Sequence, residues 1–290
     1  MANSLREVKT RIDSTKSTAQ ITKAMYMVSQ SKVKRAEKTY LDYQAFMNNV
    51  SSMVASVVAK SNGDYTHPLM APRKTTRVCY LIVTSDRGLA GAYNANIFKA
   101  LEADAQSHTL PKEKLYVASI GRKGYSYIKR NNYKTFFDHP TLVRDDVMFL
   151  DIVPLAEAII KDYLANKFDK LVVIYNHFVN SLTQEPKMMQ LLPVTNVEGD
   201  IQPVDYEYES GIERTLDLML PQYVEDMIYG VILDAKSCEH CARMNAMRSA
   251  TDNATDVIDK LQLLYNRARQ NVITNELIDI IGGANAIGGK

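Results

Sequence analysis

Apolar positions in the first sixty residues recur in alternating steps of three and four. Leu5, Val8, Ile12, Thr15, Ala19, Thr22, Tyr26, Ser29, Val33, Ala36, Tyr40, Tyr43, Met47, Val50, Val54 and Val57 follow this rule, and thirteen of the sixteen are apolar or aromatic. A heptad seam held for so long predicts a coiled-coil helix rather than an ordinary surface helix. No glycine or proline interrupts residues 1–62. A helix from Ser4 to Lys60 would be roughly 80–90 Å long, more than a small domain is wide. Ser4 and Glu7 have the spacing of a capping box at its start. SNGDYTHP (61–68), with Gly63 and Pro68, ends it.

The pattern then changes period. RVCYLIVTS (77–85), KLYVASIG (114–121) and KLVVIYNHF (170–178) are β-branched apolar runs that predict buried strands. Helical stretches separate them: ANIFKALEADAQ (95–106), RKGYSYIKRN (122–131) and a third from Asp146 to Asn166, where Pro154 predicts a kink or a fresh start. Strands alternating with helices predict a small parallel, Rossmann-like sheet. MMQLLPV (188–194) and VDYEYES (204–210) read as further extended segments.

A second uninterrupted helical stretch, Val231 to Ile281, lies near the other end. Ala235, Cys238, Ala242, Ala246, Ser249, Asn253, Val257, Leu261, Leu264, Ala268 and Val272 make a seam in which steps of four outnumber steps of three. Its repeat is nearer 3.7 than 3.5, a mismatch with the first helix. Gly282 and Gly283 supply a helix stop. A compact domain keeps its entry and exit close together, so the two helices should leave it side by side and antiparallel. The predicted fold class is therefore α/β: a long antiparallel coiled coil (1–62 and 211–290) with a central Rossmann-like domain (63–210).

Charge adds a direction. The formal net charge is only +2, yet residues 1–40 carry nine Lys or Arg against three Asp or Glu. Lys9, Lys16 and Lys23 repeat every seven residues and share one face, which favours acidic neighbours. No base-stacking aromatics interleave with them, so nucleic acid is not the expected partner. The first residues have no signal-peptide pattern, no apolar run is long enough to span a membrane, and three cysteines fit a reducing compartment.

Candidate chemistry is sparse. GLAG (88–91) follows a strand, but it is neither G-x-G-x-x-G nor a P-loop; Asp86 and Arg87 are expected to make a turn and a salt link. Cys238 and Cys241 form a mid-helix CxxC without a second ligand pair, so they are expected as packed thiols rather than a zinc or redox site. No Ser/His/Asp set or carboxylate pair stands out; no catalytic residue, cofactor or metal is expected. Apolar residues do overflow the seam in two places. Ile21, Ala24, Met25, Met27 and Val28 lie off it, and Val272 to Ile281 is apolar on nearly every side. Helices apolar all round must be enclosed, here by a partner sleeve rather than by the central domain.

TRIDSTKSTAQITKAMYMVSQSKVKRAE (10–37), SDRGLAGAYN (85–94), LLPQYVEDMIYGVILDAK (219–236), SCEHCARMNAMRSATDNATDVID (237–259) and LLYNRARQNVITNELIDIIGGANAI (263–287) resemble the gamma subunit of F-type ATP synthases. The resemblance implies a central rotor shaft that couples ion flow through the membrane c-ring to ATP synthesis or hydrolysis on the ring of alpha and beta subunits. It implies alpha, beta, epsilon and the c-ring as partners, no small-molecule substrate, and a peripheral position on the cytoplasmic face of the cell membrane. Arg269 and Gln270 match positions that contact a loop of beta. Lys23 and Met25 match a region facing the beta lever, and the stretch that includes Ile278 and Ile281 matches the tip held in a bearing. Cys238, Cys241, Asn271 and Val272 depart from the family's usual alanines. Two other readings remain: a nucleotide-dependent Rossmann-type enzyme with a coiled-coil arm, which lacks its phosphate loop, and a coiled-coil scaffold that only tethers.

Overall fold

A computed structural model of the chain describes residues 2–61, 65–107, 110–136, 141, 143–195, 197 and 211–288. In order these form α1 (Ala2–Lys60), β1 (Val78–Val83), α2 (Tyr93–Ser107), a short 3-10 turn, β2 (Leu115–Ile120), α3 (Arg122–Arg130), α4 (Phe149–Leu164), β3 (Lys170–Phe178), β4 (Gln184–Leu192) and α5 (Ile212–Gly288). The VDYEYES segment lies outside the described residues. The chain divides into two compact units: Met1–Ser29 with Met244–Lys290, and Gln30–Arg243.

The larger unit holds a four-stranded sheet in the order β2-β1-β3-β4. β2, β1 and β3 run parallel, as their apolar runs predict, while β4 is antiparallel to β3. β4 is an edge strand with most of its first seven residues exposed, so its sequence carries no signal of a doubly buried parallel strand. β1 alternates between two cores. Cys79, Leu81 and Val83 pack with α4 and with segments of α1 and α5, including Val54, Ile159 and Ile232. Val78, Tyr80 and Ile82 pack with Ile97 and Leu101 of α2 and Tyr127 and Ile128 of α3. α4 starts at Phe149 and continues through Pro154 rather than starting there; Asp151 accepts the Met148 N–H at its head.

Within this unit α1 and α5 are antiparallel neighbours. The Tyr43 hydroxyl donates to Asp226 at 3.0 Å, and a Cβ on Gly230 would meet the Tyr43 ring at 3.3 Å and Met47 at 3.8 Å. Glycine at 230 is thus the residue that lets the two helices approach beside an aromatic ring.

In the smaller unit α1 and α5 pair through a seam that includes a Thr251 hydroxyl to Thr22 hydroxyl contact of 2.8 Å. All sixteen seam positions expected on α1, across both units, are buried or half-buried. The seam expected on α5 is corrected. Ser249, Asn253, Val257 and Leu264 are exposed, whereas Met247, Thr251, Ala254, Ile258, Leu261, Tyr265, Ala268 and Val272 are covered. These steps alternate four and three, so α5 presents a heptad that matches α1, and there is no mismatch of repeat. The physical reason is register: Thr251 lies against Thr22 at 2.8 Å, and a heptad stripe drawn through it takes in Ala254, Ile258, Leu261 and Tyr265 and leaves Val257 and Leu264 outside.

Two helix ends also differ from expectation. α1 begins at Ala2, ahead of the Ser4–Glu7 box. α5 runs through Gly282 and Gly283 to Gly288. Glycine lowers helix propensity by about 1 kcal/mol relative to alanine but does not forbid the conformation, and a helix stop needs a left-handed residue that is not adopted here.

Candidate partner-binding surfaces

The register of the smaller unit decides which residues of α1 and α5 are left uncovered. Thr22 lies level with Thr251. In an antiparallel pair Ala2 is then level with about Asn271, and α5 runs on alone for roughly 17 residues, about 25 Å. Its apolar side chains there are bare: Ile273 is 43% exposed, Leu277 54%, Ile278 59%, Ile280 67% and Ile281 59%. Among the described residues, no part of the smaller unit encloses them.

Of the other expected contact residues, Lys23, Arg269 and Gln270 are exposed and Met25 is half-buried. Lys23 and Met25 share one stretch of α1 with exposed Ile21, Met27 and Val28. Arg269 and Gln270 lie on α5 level with the first turns of α1, so the coil holds these pairs roughly 30 Å apart. They make two surfaces, not one. Lys9 and Lys16 are exposed along with Lys23, which keeps the basic face free. Val257, Leu263 and Leu264 form a third exposed apolar group. Sequence reasoning missed it because Val257 and Leu264 were assigned to the seam.

The sheet of the larger unit has the topology on which nucleotides bind, in the crevice where strand order reverses at the strands' carboxyl ends. That crevice lies between β1 and β3, and α5 fills it. The Tyr93 hydroxyl donates to the Ala235 carbonyl at 3.2 Å. Asn176 donates to the Tyr93 carbonyl at 2.9 Å, and Asp234 accepts the Phe178 N–H at 2.8 Å. Cys238 sits in the core formed with Tyr93, Val172 and Ile174. The β1–α2 turn is built of Leu89 at φ 63° and Gly91 at φ 56°. Asp86 accepts the Arg122 N–H at the head of α3 at 3.0 Å, a hydrogen bond from the backbone in place of the salt link expected. The Arg87 carbonyl accepts from the Ser85 hydroxyl and from Arg243 of α5.

Both α5 thiols are fully buried. Burial, with the Asp234 carboxylate next, pushes the Cys238 thiol far up; burial, with Glu37 next, pushes Cys241 up to about 11. Neither is a thiolate at neutral pH. Asp234 itself is raised by burial, against the His177, Phe178 and Tyr40 hydrogen bonds that favour its charged form. His177 Nδ1 lies 2.6 Å from Asp234 Oδ2. These groups serve contacts among β3, α1 and α5. Beside them a cavity of about 430 Å³ opens between β4, α1 and α5, lined by Met47, Met189, Tyr223 and Met227 among others.

A second polar group joins three elements. Lys32 of α1 donates to Asp145 Oδ2 at 2.5 Å, while Lys236 and His240 of α5 approach Oδ1 at 3.8 and 3.5 Å. Burial works against the Asp145 charge, but the Lys32 hydrogen bond and the His240, Lys236 and Lys32 charges outweigh it and hold the carboxyl below its usual range. Among the described residues, no three His, Cys, Asp or Glu side chains gather as metal ligands, and no helix is long and apolar enough to cross a membrane.

Residues 4–287 match the family model described as ATP synthase. Among solved structures, the fold is similar to a chain of the Tetrahymena thermophila mitochondrial ATP synthase central stalk and c-ring, at 22% identity, covering 79% of this chain and 99% of that one with a TM-score of 0.59. It is also similar to a chain of the Euglena gracilis mitochondrial ATP synthase OSCP/F1/c-ring, at 18% identity, covering 100% and 96% with a TM-score of 0.68. A chain of the Euglena gracilis ATP synthase rotor matches at 15% identity, covering 94% and 100% with a TM-score of 0.61. At such identities these likenesses speak for the fold. The family match spans nearly the whole chain, and the chain belongs to that family, as a gamma subunit of the F-type ATP synthase.

Proposed function

We propose that this gamma subunit is the rotating shaft between the alpha and beta ring and the membrane c-ring, and has no catalytic site of its own. The observation that carries the reading is the bare apolar end of α5. A monomeric protein rarely leaves so many large aliphatic side chains in water. Ile278 and Ile281, set beyond the start of α1, suit a close-fitting collar with no directional polar contacts, which is what a bearing requires. Lys23 and Met25, and Arg269 with Gln270, are the side chains through which beta would push on the coil. The basic face of α1 suits an acidic surface on that ring.

The larger unit is assigned to epsilon and the c-ring, so the subunit is peripheral to the membrane on its cytoplasmic face. Nucleotide chemistry belongs to the ring, because α5 occupies the crevice in which the sheet would hold a nucleotide. That is also the feature that disfavours a Rossmann-type enzyme, and the bare tip disfavours a passive tether. The domain division follows: residues 1–62 and 211–290 as shaft, and 63–210 as the α/β body.

Reconstitution tests this. Alpha and beta from the same source, mixed with the chain, should form a complex that hydrolyses ATP and turns a bead fixed to the α/β body. The chain alone should hydrolyse none. Hydrolysis by the isolated chain that a substitution within it abolishes, or failure of the wild-type chain to join the ring, would overturn the reading.

A further inference from the structure

Apolar packing is strong but has no direction. A helix held only by apolar contacts can roll about its axis by a fraction of a turn at small cost. Ionic hydrogen bonds have narrow geometry and resist such a roll. In the larger unit, α5 carries a stripe of polar groups. Of these, Lys236 and His240 stand at 3.8 and 3.5 Å from Asp145, longer than hydrogen bonds. Burial lowers the His240 pKa and favours its neutral ring. Lys236, Glu239, His240 and Arg243 stand at i, i+3, i+4 and i+7 and share one face. Glu239 is 6% exposed and is held by Lys236 at 3.2 Å and Arg243 at 2.8 Å. His240 and Lys236, 4% and 11% exposed, reach Asp145 in the segment before α4, which also takes Lys32 of α1. At the other end of the stripe, Arg243 donates to the Arg87 carbonyl on the β1–α2 turn at 3.5 Å. The stripe is therefore anchored at two separate segments of the α/β body, with α1 tied to the first.

We propose that this stripe, with Asp145 as its shared anion, is the key that acts with the Asp234 contacts to β3 to fix the rotational setting of α5, and through Lys32 that of α1, on the α/β body, so that torque passes between body and helices there. Asp145 is a positioning residue; it touches no nucleotide. The inference rests on the shaft reading. Either anchor opposes a roll. Asp234 also ties α5 to β3, through the Phe178 N–H at 2.8 Å and His177 at 2.6 Å. Losing Asp145 therefore removes one anchor of several and should raise the variance of angular fluctuation by less than about two-fold.

The test uses the assembled complex with its ring immobilised and a bead on the α/β body. Asp145→Ala should raise the angular variance over wild type by less than about two-fold, because the Asp234 contacts remain, while Asp145→Glu, which keeps the charge, should stay near wild type. About 0.5 M salt shortens the screening length to about 4 Å, so it should loosen wild type and add little in Asp145→Ala. Should Asp145→Ala fail to assemble, Lys32→Met removes one link from a side chain that is 43% exposed and should give a smaller rise. Equal variance in wild type and Asp145→Ala, or in wild type and Lys32→Met where that variant stands in, would overturn the key while leaving the shaft reading intact. A wild-type bead that never turns in ATP would overturn the shaft reading first.

Discussion

The α5 seam can be tested with two neighbouring residues. Ala254 is 8% exposed and faces α1, while Asn253 is exposed. Ala254→Asp places a carboxylate in the buried seam of the coil. It must be desolvated, protonated or swung out by opening the pair. Desolvated polar groups cost roughly 1–3 kcal/mol by mutational measures and charges more, so a loss of about 3 kcal/mol is expected. Asn253→Asp adds a charge on the solvent side, three residues from Asp256. Its cost is like-charge repulsion of about 0.2–0.5 kcal/mol. Because 1.4 kcal/mol is tenfold, local opening of the coil should rise by about two orders of magnitude for Ala254→Asp and about two-fold or less for Asn253→Asp. Amide hydrogen exchange over residues 247–258 and 12–29 of the full chain reads this directly. Faster exchange in Asn253→Asp than in Ala254→Asp would refute the heptad register and restore the wider repeat.

Ile278→Asp with Ile281→Asp should leave the free chain's melting temperature almost unchanged, since both sites are 59% exposed, yet weaken binding to the alpha and beta ring by several kcal/mol if the collar is dry; strong, equal protection of residues 272–284 in free and assembled chain would mean the tip has no need of a collar. Asp169 accepts from the Thr76 and Arg77 N–H groups at 2.9 Å and the Thr76 hydroxyl at 2.6 Å. Burial opposes its charge, but these bonds and Arg77 outweigh it and lower its pKa. Its stabilisation is thus present above the unfolded value of about 4 and is lost as pH falls through the folded value, whereas Asp169→Asn should cost about 2 kcal/mol at neutral pH and lose this acid dependence. Cys238 and Cys241 should resist maleimide in the native chain at neutral pH and react fully in denaturant, as read by mass spectrometry; rapid native labelling would contradict their burial.

Large apolar residues at strict spacing made α1 readable: from Leu5 to Val57 no seam position is exposed. β1, β2 and β3 were readable for a related reason. A strand buried on both faces has few polar positions, and such runs are rare elsewhere. β4 was found as an extended segment, but its direction depends on the hairpin after Phe178 rather than on its own side chains. The Asp145 cluster could not be read at all. Lys32 and Asp145 are 113 positions apart, and a charge on a helix looks the same whether it meets water or a distant carboxylate. The occupied crevice was equally hidden, since it depends on where α5 crosses the sheet.

The error on α5 and the partner surfaces have one physical origin. Reading a seam by apolar count assumes that each apolar residue is used by the neighbouring helix. Val257, Leu263 and Leu264 break that assumption: they are large and aliphatic, yet 44%, 60% and 52% exposed. The true seam beside them is built of Met247, Thr251, Ala254 and Ile258. A pair of helices can bury only one stripe on each, so apolar residues beyond that stripe must be used by another body or remain a solubility cost. Where the count exceeds what two helices can cover, the surplus locates the partner. By that argument the proposed ring-facing surface would extend from the tip, Ile21 and Val28 to the exposed group at residues 257–264. Leu263→Ser with Leu264→Ser should then leave the coil folded by circular dichroism while reducing ring binding; unchanged binding would confine the collar to the tip and to α1.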